Sequence, residues 1–245
     1  KYSLSLDVEH WNERTKAYCD KGMHSQKGRF QTRYIYRCAG PSGSTKDIGV
    51  ARSVLEAQRN PCPDTHPKPL YPLGDGQGGI LSKEVFVPGK IEYQFVEQYG
   101  YVSLFPLLCT VLSPKSPKLK HVMDLMRNDK ELWTDYGLLS LAKSSRFFEK
   151  GNAPGDAPYW RGAIWMPINY LAVSALYHYK QQPGPYKEQA SQLYTELRQN
   201  LVRNLFKEWK RTGYLWEQYN SRTGQGQRSH PFTGWSASVI NIMAE

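Results

Sequence analysis

Only four of the 245 residues are cysteine, and Cys19, Cys38, Cys62 and Cys109 show no Cys-x-x-Cys spacing. A zinc site built on that motif is therefore not expected. An oxidising compartment would allow one or two disulfides, and the sequence leaves their pairing open. No stretch approaches the roughly 20 consecutive apolar residues that a membrane span requires, and no secretory signal opens the chain. The run Gly74-Asp75-Gly76-Gln77-Gly78-Gly79 lacks the Gly-Lys-Ser/Thr ending and the following helix of a phosphate loop. A sustained helical period is missing from 28–90, a stretch punctuated by Gly and Pro, including Pro61-Cys62-Pro63. So long a loop-rich region is unusual in a compact domain and predicts an insertion carrying some short strands.

What the chain does have is apolar and aromatic side chains, 40% hydrophobic and 13% aromatic, which argues for a folded protein. Its net charge of +10 raises nucleic acid as a partner. The basic residues are dispersed, however. Lys16, Lys21, Lys27, Arg29, Arg33 and Arg37 are scattered through the first forty residues, and Lys115, Lys118, Lys120, Arg127 and Lys130 decorate a helical stretch. That distribution reads as a solvated surface, and no nucleic-acid partner is expected.

In order along the chain, Asp7 to Asn12 reads as the end of a helix and Thr15 to Gly22 as a loop or short strand. From Glu97 the texture turns helical. Tyr99 to Leu108 is apolar all round, Pro117 to Met126 is amphipathic, and the stretch from about Trp165 to Tyr179 is again apolar throughout. After the turn Gln182-Pro183-Gly184-Pro185, a long amphipathic helix is predicted to about Trp209. Its stripe is Tyr186, Ala190, Leu193, Tyr194, Leu197, Leu201, Leu205 and Trp209, and Gly213 ends it. A polar loop from Tyr214 to Phe232 then leads into another buried helix, Thr233 to Ala244. Helices apolar all round alternate here with amphipathic ones. Two concentric rings of helices would produce that alternation and bring the loops entering the inner ring to one mouth.

Three constellations fall in those loops. Tyr159-Trp160-Arg161-Gly162-Ala163-Ile164-Trp165 follows the turn-rich run 151–158, Trp216-Glu217-Gln218-Tyr219 comes next, and His230-Pro231-Phe232-Thr233-Gly234-Trp235 closes the set. Large aromatics are most often core, so packing is the ordinary reading of these rings. The functional reading is a sugar site. Indole faces stack on the C–H faces of a sugar ring, and guanidinium and amide groups bond its hydroxyls. Glu217, flanked by Trp216 and Tyr219, is the carboxylate whose surroundings suit acid–base chemistry.

These segments, together with Asn169-Tyr170-Leu171-Ala172, Gly100 to Leu108, Gly137 to Leu141 and Asp156-Ala157-Pro158, resemble glycoside hydrolase family 63 from about Gly100 to Glu245. Asp7 to Gly22 resembles it more weakly. The resemblance implies an all-α fold, an (α/α)6 toroid of the six-hairpin glycosidase type. Residues 1–245 would form its C-terminal portion, interrupted by the insertion at 28–90. It implies inverting hydrolysis of the terminal α-1,2-linked glucose of the glucosylated N-glycan precursor in the lumen of the endoplasmic reticulum. Glu217 would be the general base. Tyr159, Trp160, Arg161, Trp165, Trp216, Tyr219 and Trp235 would line the sugar site, with further contacts from Tyr18 and Asp20. No metal or other cofactor is implied, because two carboxyl groups suffice.

The family's general acid is an aspartate in a Glu-Arg-His-x-Asp-Leu-Arg type motif that precedes the matched region, and this chain has no such motif. Neither Asp7 nor Asp156 sits in that context. The expectation is therefore a C-terminal part of a longer enzyme, inactive by itself. The upstream part would supply the acid, the remaining helices, an N-terminal β domain and a single membrane anchor, leaving this segment without membrane contact. Two other classes remain to be distinguished. One is a carbohydrate-binding module without turnover. The other is a basic nucleic-acid-binding protein, whose affinity would fall steeply with salt.

Overall fold

A computed structural model describes residues 2–151 and 156–244. Residues 152–155, part of the run expected from the sequence to turn, lie outside the described residues. The chain opens with α1 (Tyr2–Glu9), β1 (Trp11–Asn12), β2 (Ala17–Tyr18), β3 (Asp20–His24), β4 (Gly28–Ala39), β5 (Thr45–Val50), α2 (Arg52–Glu56), β6 (Lys68–Pro72), β7 (Ser82–Pro88) and β8 (Glu92–Val96). There follow α3 (Tyr101–Leu108), α4 (Pro117–Arg127), β9 (Trp133–Thr134), β10 (Gly137–Leu138), α5 (Met166–Gln181), α6 (Lys187–Thr212), β11 (Gln218–Tyr219), β12 (Gly226–Gln227) and α7 (Val239–Ala244). Two compact units result, one formed by Lys1–Gly22 with Gln94–Glu245 and the other by Met23–Tyr93.

The Met23–Tyr93 unit is built on β4. Phe30, Thr32, Tyr34, Ile35 and Tyr36 give that strand the aromatic and β-branched content that suits a pleated surface. It pairs antiparallel with β5 from Tyr34↔Val50 to Ala39↔Thr45, and with β7 from Gly28↔Pro88 to Tyr34↔Ser82. β6 also pairs with it, across a bulge at Arg37/Cys38. Two cross-strand pairs reinforce the register. The Phe30 and Phe86 rings meet edge to face at 5.4 Å, and Arg37 grips Asp47 with two bonds of 2.7 and 2.8 Å. A disulfide joins Cys38 to Cys62. The glycine-rich run satisfies its own amides, because Asp75 Oδ1 accepts the backbone N–H groups of Gln77 and Gly79 at 2.8 and 2.9 Å.

The other unit has its core where α3, α4, α5 and α6 meet. α4 starts at Pro117 with Ser116 as its N-cap, the Ser116 hydroxyl accepting from the Lys118 N–H at 3.3 Å. α5 and α6 form a helical hairpin, and α6 stops at Gly213, whose φ of 79° is the left-handed C-terminal stop. The buried stripe of α6 holds Ala190, Leu193, Tyr194, Leu197, Leu201 and Leu205, as its spacing predicts. It then departs from the apolar pattern. Asn204 and Glu208 are buried, while Trp209 turns outward and stacks on Phe206 at 6.0 Å. The buried polar pair has partners: Asn204 donates to the Gly224 carbonyl at 3.0 Å, and Glu208 accepts the Gly226 N–H at 2.9 Å and pairs with Arg211 at 2.6 Å.

The architecture overturns the all-α, (α/α)6 expectation. The chain is mixed, 36% helical and 25% strand, with several antiparallel sheets. Its helices are also not of the two kinds the double ring requires. α3 exposes Val102 and Phe105, α5 exposes Leu171 and Tyr177, and the Thr233–Ala244 segment is a 3-10 turn at Trp235–Ser238 followed by six residues that expose Ile240 and Met243. Apolar runs that look buried on both sides in sequence are buried on one face only.

Candidate active site

The site is held by bridges between loops. Leu139 pairs with Ile164, and Ile164 pairs in turn with Tyr219. The second pairing is reciprocal, with backbone bonds of 2.9 and 3.0 Å, so the segments carrying Tyr159–Trp165 and Trp216–Tyr219 run side by side. Beneath them lies a buried polar knot. Asn169 Oδ1 accepts from the Leu138 N–H at 2.7 Å, and its Nδ2 donates to the Tyr101 hydroxyl and the Trp165 carbonyl at 3.0 and 2.9 Å. The Tyr101 hydroxyl donates onward to the Leu138 carbonyl at 2.8 Å and accepts from the Trp165 N–H at 3.0 Å. With every group satisfied, the knot fixes where α5 begins and therefore where Trp165 sits. Gly162 lets the loop turn. Its φ is 129°, and a Cβ there would come within 2.7 Å of the Phe148 ring.

On this frame the aromatics cluster. Trp160 stacks on the fully buried Trp165 at 3.9 Å and 11°, Tyr159 stands edge-on to Trp165 at 4.7 Å, and Trp235 lies tilted 5.8 Å from Trp165. Trp160 is 46% exposed and Trp235 36%, so both present ring surface to solvent. Trp216 packs against His230 at 3.8 Å and donates its indole N–H to Thr212 at 3.1 Å.

Glu217 is held among them, 9% exposed. Its Oε1 accepts the Tyr159 hydroxyl at 2.6 Å, and its Oε2 accepts the Ser229 N–H at 3.3 Å. Its backbone is pinned too, the N–H donating to the Ser229 carbonyl at 3.0 Å and the carbonyl accepting the Trp235 indole N–H at 2.6 Å. The Tyr159 hydrogen bond, with lesser help from Ser229 and the charge of Arg228, holds the Glu217 carboxyl below its ordinary range against the cost of burial. The same bond pushes the Tyr159 hydroxyl up. A carboxylate that stays ionised at neutral pH and keeps unused lone pairs can take a proton from a bound water.

The residues singled out in the sequence therefore divide into four groups. Glu217, Tyr159, Trp160, Trp165 and Trp235 form one cluster. Trp216 and Tyr219 flank it as packing groups, Tyr219 fully buried with its hydroxyl accepting from the Trp216 N–H at 3.4 Å. Arg161 faces elsewhere: its guanidinium donates to the Gly151 and Lys150 carbonyls at 2.8 and 3.3 Å, and lies over the Phe147 ring. It helps line a polar cleft of about 560 Å³ with Glu149, Gln218, Asn220, Arg222 and Arg228. Tyr18 and Asp20 border a different cleft, of about 220 Å³, with Leu6, His10 and Phe105. There the buried Tyr18 hydroxyl donates to Asp7 at 3.0 Å. Sequence reasoning passed over Arg228, Ser229 and the Glu149–Arg222 pair, which closes at 2.6 Å. No local pattern marks them, since their partners lie some 70 residues away or across a hairpin. Among the described residues no cluster of three metal-ligating side chains is found.

The family model for the glycosyl hydrolase family 63 C-terminal domain matches residues 72–245. The chain belongs to glycosyl hydrolase family 63. Mannosyl-oligosaccharide glucosidase GCS1 of Arabidopsis thaliana is 49% identical over 171 residues, covering 69% of this chain and 20% of that protein. Alpha-glucosidase 2 of the same plant is 44% identical over 171 residues, with 69% and 22% covered. A probable mannosyl-oligosaccharide glucosidase of Schizosaccharomyces pombe is 44% identical over 147 residues, with 60% and 18% covered. The chain thus spans about a fifth of the length of these relatives. Among solved structures, the GH63 mannosylglycerate hydrolase of Thermus thermophilus in complex with glucose overlays at a TM-score of 0.43 and 21% identity, covering 62% of this chain and 33% of that one. So loose an overlay transfers no residue roles.

Proposed function

We propose that this chain carries the base half of a glycosidase site that removes the terminal α-1,2-linked glucose from the N-glycan precursor with inversion. Glu217 is the general base, and the acid comes from polypeptide outside this chain. The observation that carries the proposal is the Glu217 carboxylate, held by Tyr159 and Ser229 beside the exposed faces of Trp160 and Trp235. The relatives named as mannosyl-oligosaccharide glucosidases support the substrate class.

In this reading the glucose ring lies on the exposed indole surface, and a water sits between Glu217 and the anomeric carbon. Glu217 takes one proton of the water as its oxygen bonds to that carbon. The bond to the leaving oxygen breaks, and that oxygen is protonated by the acid. An inverting pair keeps its carboxyl groups roughly 6.5–9.5 Å apart to leave room for the water. Burial of Trp165 behind Trp160 makes it the support of the platform and leaves Trp160 as the contact. Arg161 belongs to the neighbouring polar cleft, and Tyr18 and Asp20 belong to a separate one. The disulfide Cys38–Cys62 accords with an oxidising compartment such as the lumen of the endoplasmic reticulum. No described helix is long and apolar enough to cross a membrane.

The test is glucose release from a triglucosylated N-glycan by the complete enzyme, with the product anomer followed by NMR. Glu217→Gln is expected to reduce turnover by roughly 10²–10⁴-fold, the usual contribution of a proton-transfer group, with glycan binding retained. β-Glucose as first product supports inversion. Full activity in the variant would place the base elsewhere.

A further inference from the structure

Tyr159 reaches Glu217 from a segment that must itself be held. Immediately before Tyr159, the Pro158 and Ala157 carbonyls accept Nη2 of Arg228 at 2.9 and 3.3 Å. The same guanidinium lies 4.5 Å above the centre of the Tyr159 ring. Arg228 thus grips the Tyr159 segment by two backbone carbonyls and by the ring face. It is also the residue before Ser229, whose N–H and carbonyl bond Glu217. Its φ is 67°, a left-handed conformation that is uncommon for a residue with a side chain. Among the described residues no carboxylate forms an ion pair with it, although it is an exposed arginine. Surface arginines ordinarily meet acids or water. This one directs its donors to carbonyls and its charge to a tyrosine ring.

We propose that Arg228 is a positioning residue for the reaction, acting through Tyr159: its guanidinium orients the Tyr159 hydroxyl onto Glu217 Oε1 and polarises that hydroxyl as a donor. The inference rests on Glu217 being the base. A cation over a phenol ring draws electron density from it and strengthens the O–H as a donor. A stronger donor keeps the Glu217 carboxylate ionised, and a fixed one leaves the rest of the carboxylate aimed at the water. The charged or titratable groups that act on Glu217 are Tyr159 and Arg228, while the His230 ring packs against Trp216.

The experiment measures kcat, KM and the pH dependence of kcat/KM for the complete enzyme and its Arg228→Met, Arg228→Lys, Tyr159→Phe and Arg228→Met/Tyr159→Phe variants, with thermal unfolding as the check on folding. In Arg228→Met, kcat is expected to fall at least about tenfold, part of what a proton-transfer group supplies, with KM changed far less. The acidic limb of kcat/KM should move to higher pH, because the influences that keep Glu217 ionised have been weakened. Tyr159→Phe should move the limb the same way. The double variant should lose no more than the worse single variant, since both act through one contact. Arg228→Lys, which keeps the charge and a nitrogen that can donate to the carbonyls, should hold the limb near its parental position. Should Arg228→Met fail to fold, the Lys and Phe variants carry the test through the limb position alone. A rise in KM alone with kcat and the pH profile unchanged would make Arg228 a substrate contact and overturn the proposal, as would additive losses in the double variant. Full activity in Glu217→Gln would instead remove the proposed base, an outcome distinct from either.

Discussion

Asn169 and Glu208 show what a single buried polar side chain does here. Asn169 uses its amide in four bonds that join α3, β10 and α5 beneath the aromatic cluster. Glu208, on an apolar helix stripe, reaches across to the Gly226 N–H and so anchors the strand opposite Gln218. The Arg211 ion pair and then the Gly226 bond hold the Glu208 carboxyl below its ordinary value against burial. A carboxyl depressed in the native state stabilises fully above its unfolded value of about 4.3, and that contribution is lost as pH falls through the native value. The stability gap between the parent and Glu208→Gln is therefore expected to be widest near pH 7 and to shrink below pH 4. Denaturant unfolding at both pH values checks this, and an equal gap at pH 3 would contradict it.

At the level of the element, the β11–β12 hairpin delivers Glu217. Gln218 pairs with Gln227 and Tyr219 with Gly226, so the hairpin's register sets where the preceding residue points. Gly226 is a glycine because the Trp216 ring lies directly on its Cα, where a Cβ would collide with the ring. Gly226→Ala is expected to cost about 2 kcal/mol, the usual range for overpacking. It should also reduce activity more than stability alone explains, because Trp216 and Glu217 are adjacent. Comparing its unfolding midpoint with its kcat separates the two effects. The helical hairpin shows the complementary case. The α6 stripe was legible from Ala190 to Leu205 because period 3.6 places those residues on one face. Trp209 broke the pattern because Asn204 and Glu208 had partners in the following loop and took the buried positions.

In the whole molecule, residues 23–93 are a unit of their own, centred on β4 and stapled by Cys38–Cys62. Closing a loop of 24 residues removes unfolded-chain entropy worth about 3.5 kcal/mol. Cys38→Ser/Cys62→Ser is expected to destabilise this unit by about that amount. Hydrogen exchange should show the loss as deprotection of the β4 and β5 amides. Unchanged protection there would mean that the sheet holds without the bond.

The sequence by itself determined the family and the helical hairpin of α5 and α6, and it singled out Glu217 and the aromatics that the structure gathers around it. Those rest on long local motifs and on periodicity, which survive without knowledge of the fold. It did not determine the architecture. Apolar runs in α3 and around Trp235 look the same whether one face or two are covered, and only packing showed one. Tertiary structure also decided how the loops sort. It joined Tyr159 to Glu217 across 58 residues and set Arg228 over Tyr159. It turned Arg161 to the backbone of residues 150–151 and drew Tyr18 to Asp7. Side chains on neighbouring residues point in different directions, and which one meets a distant partner depends on strand register and on backbone angles that no local pattern encodes.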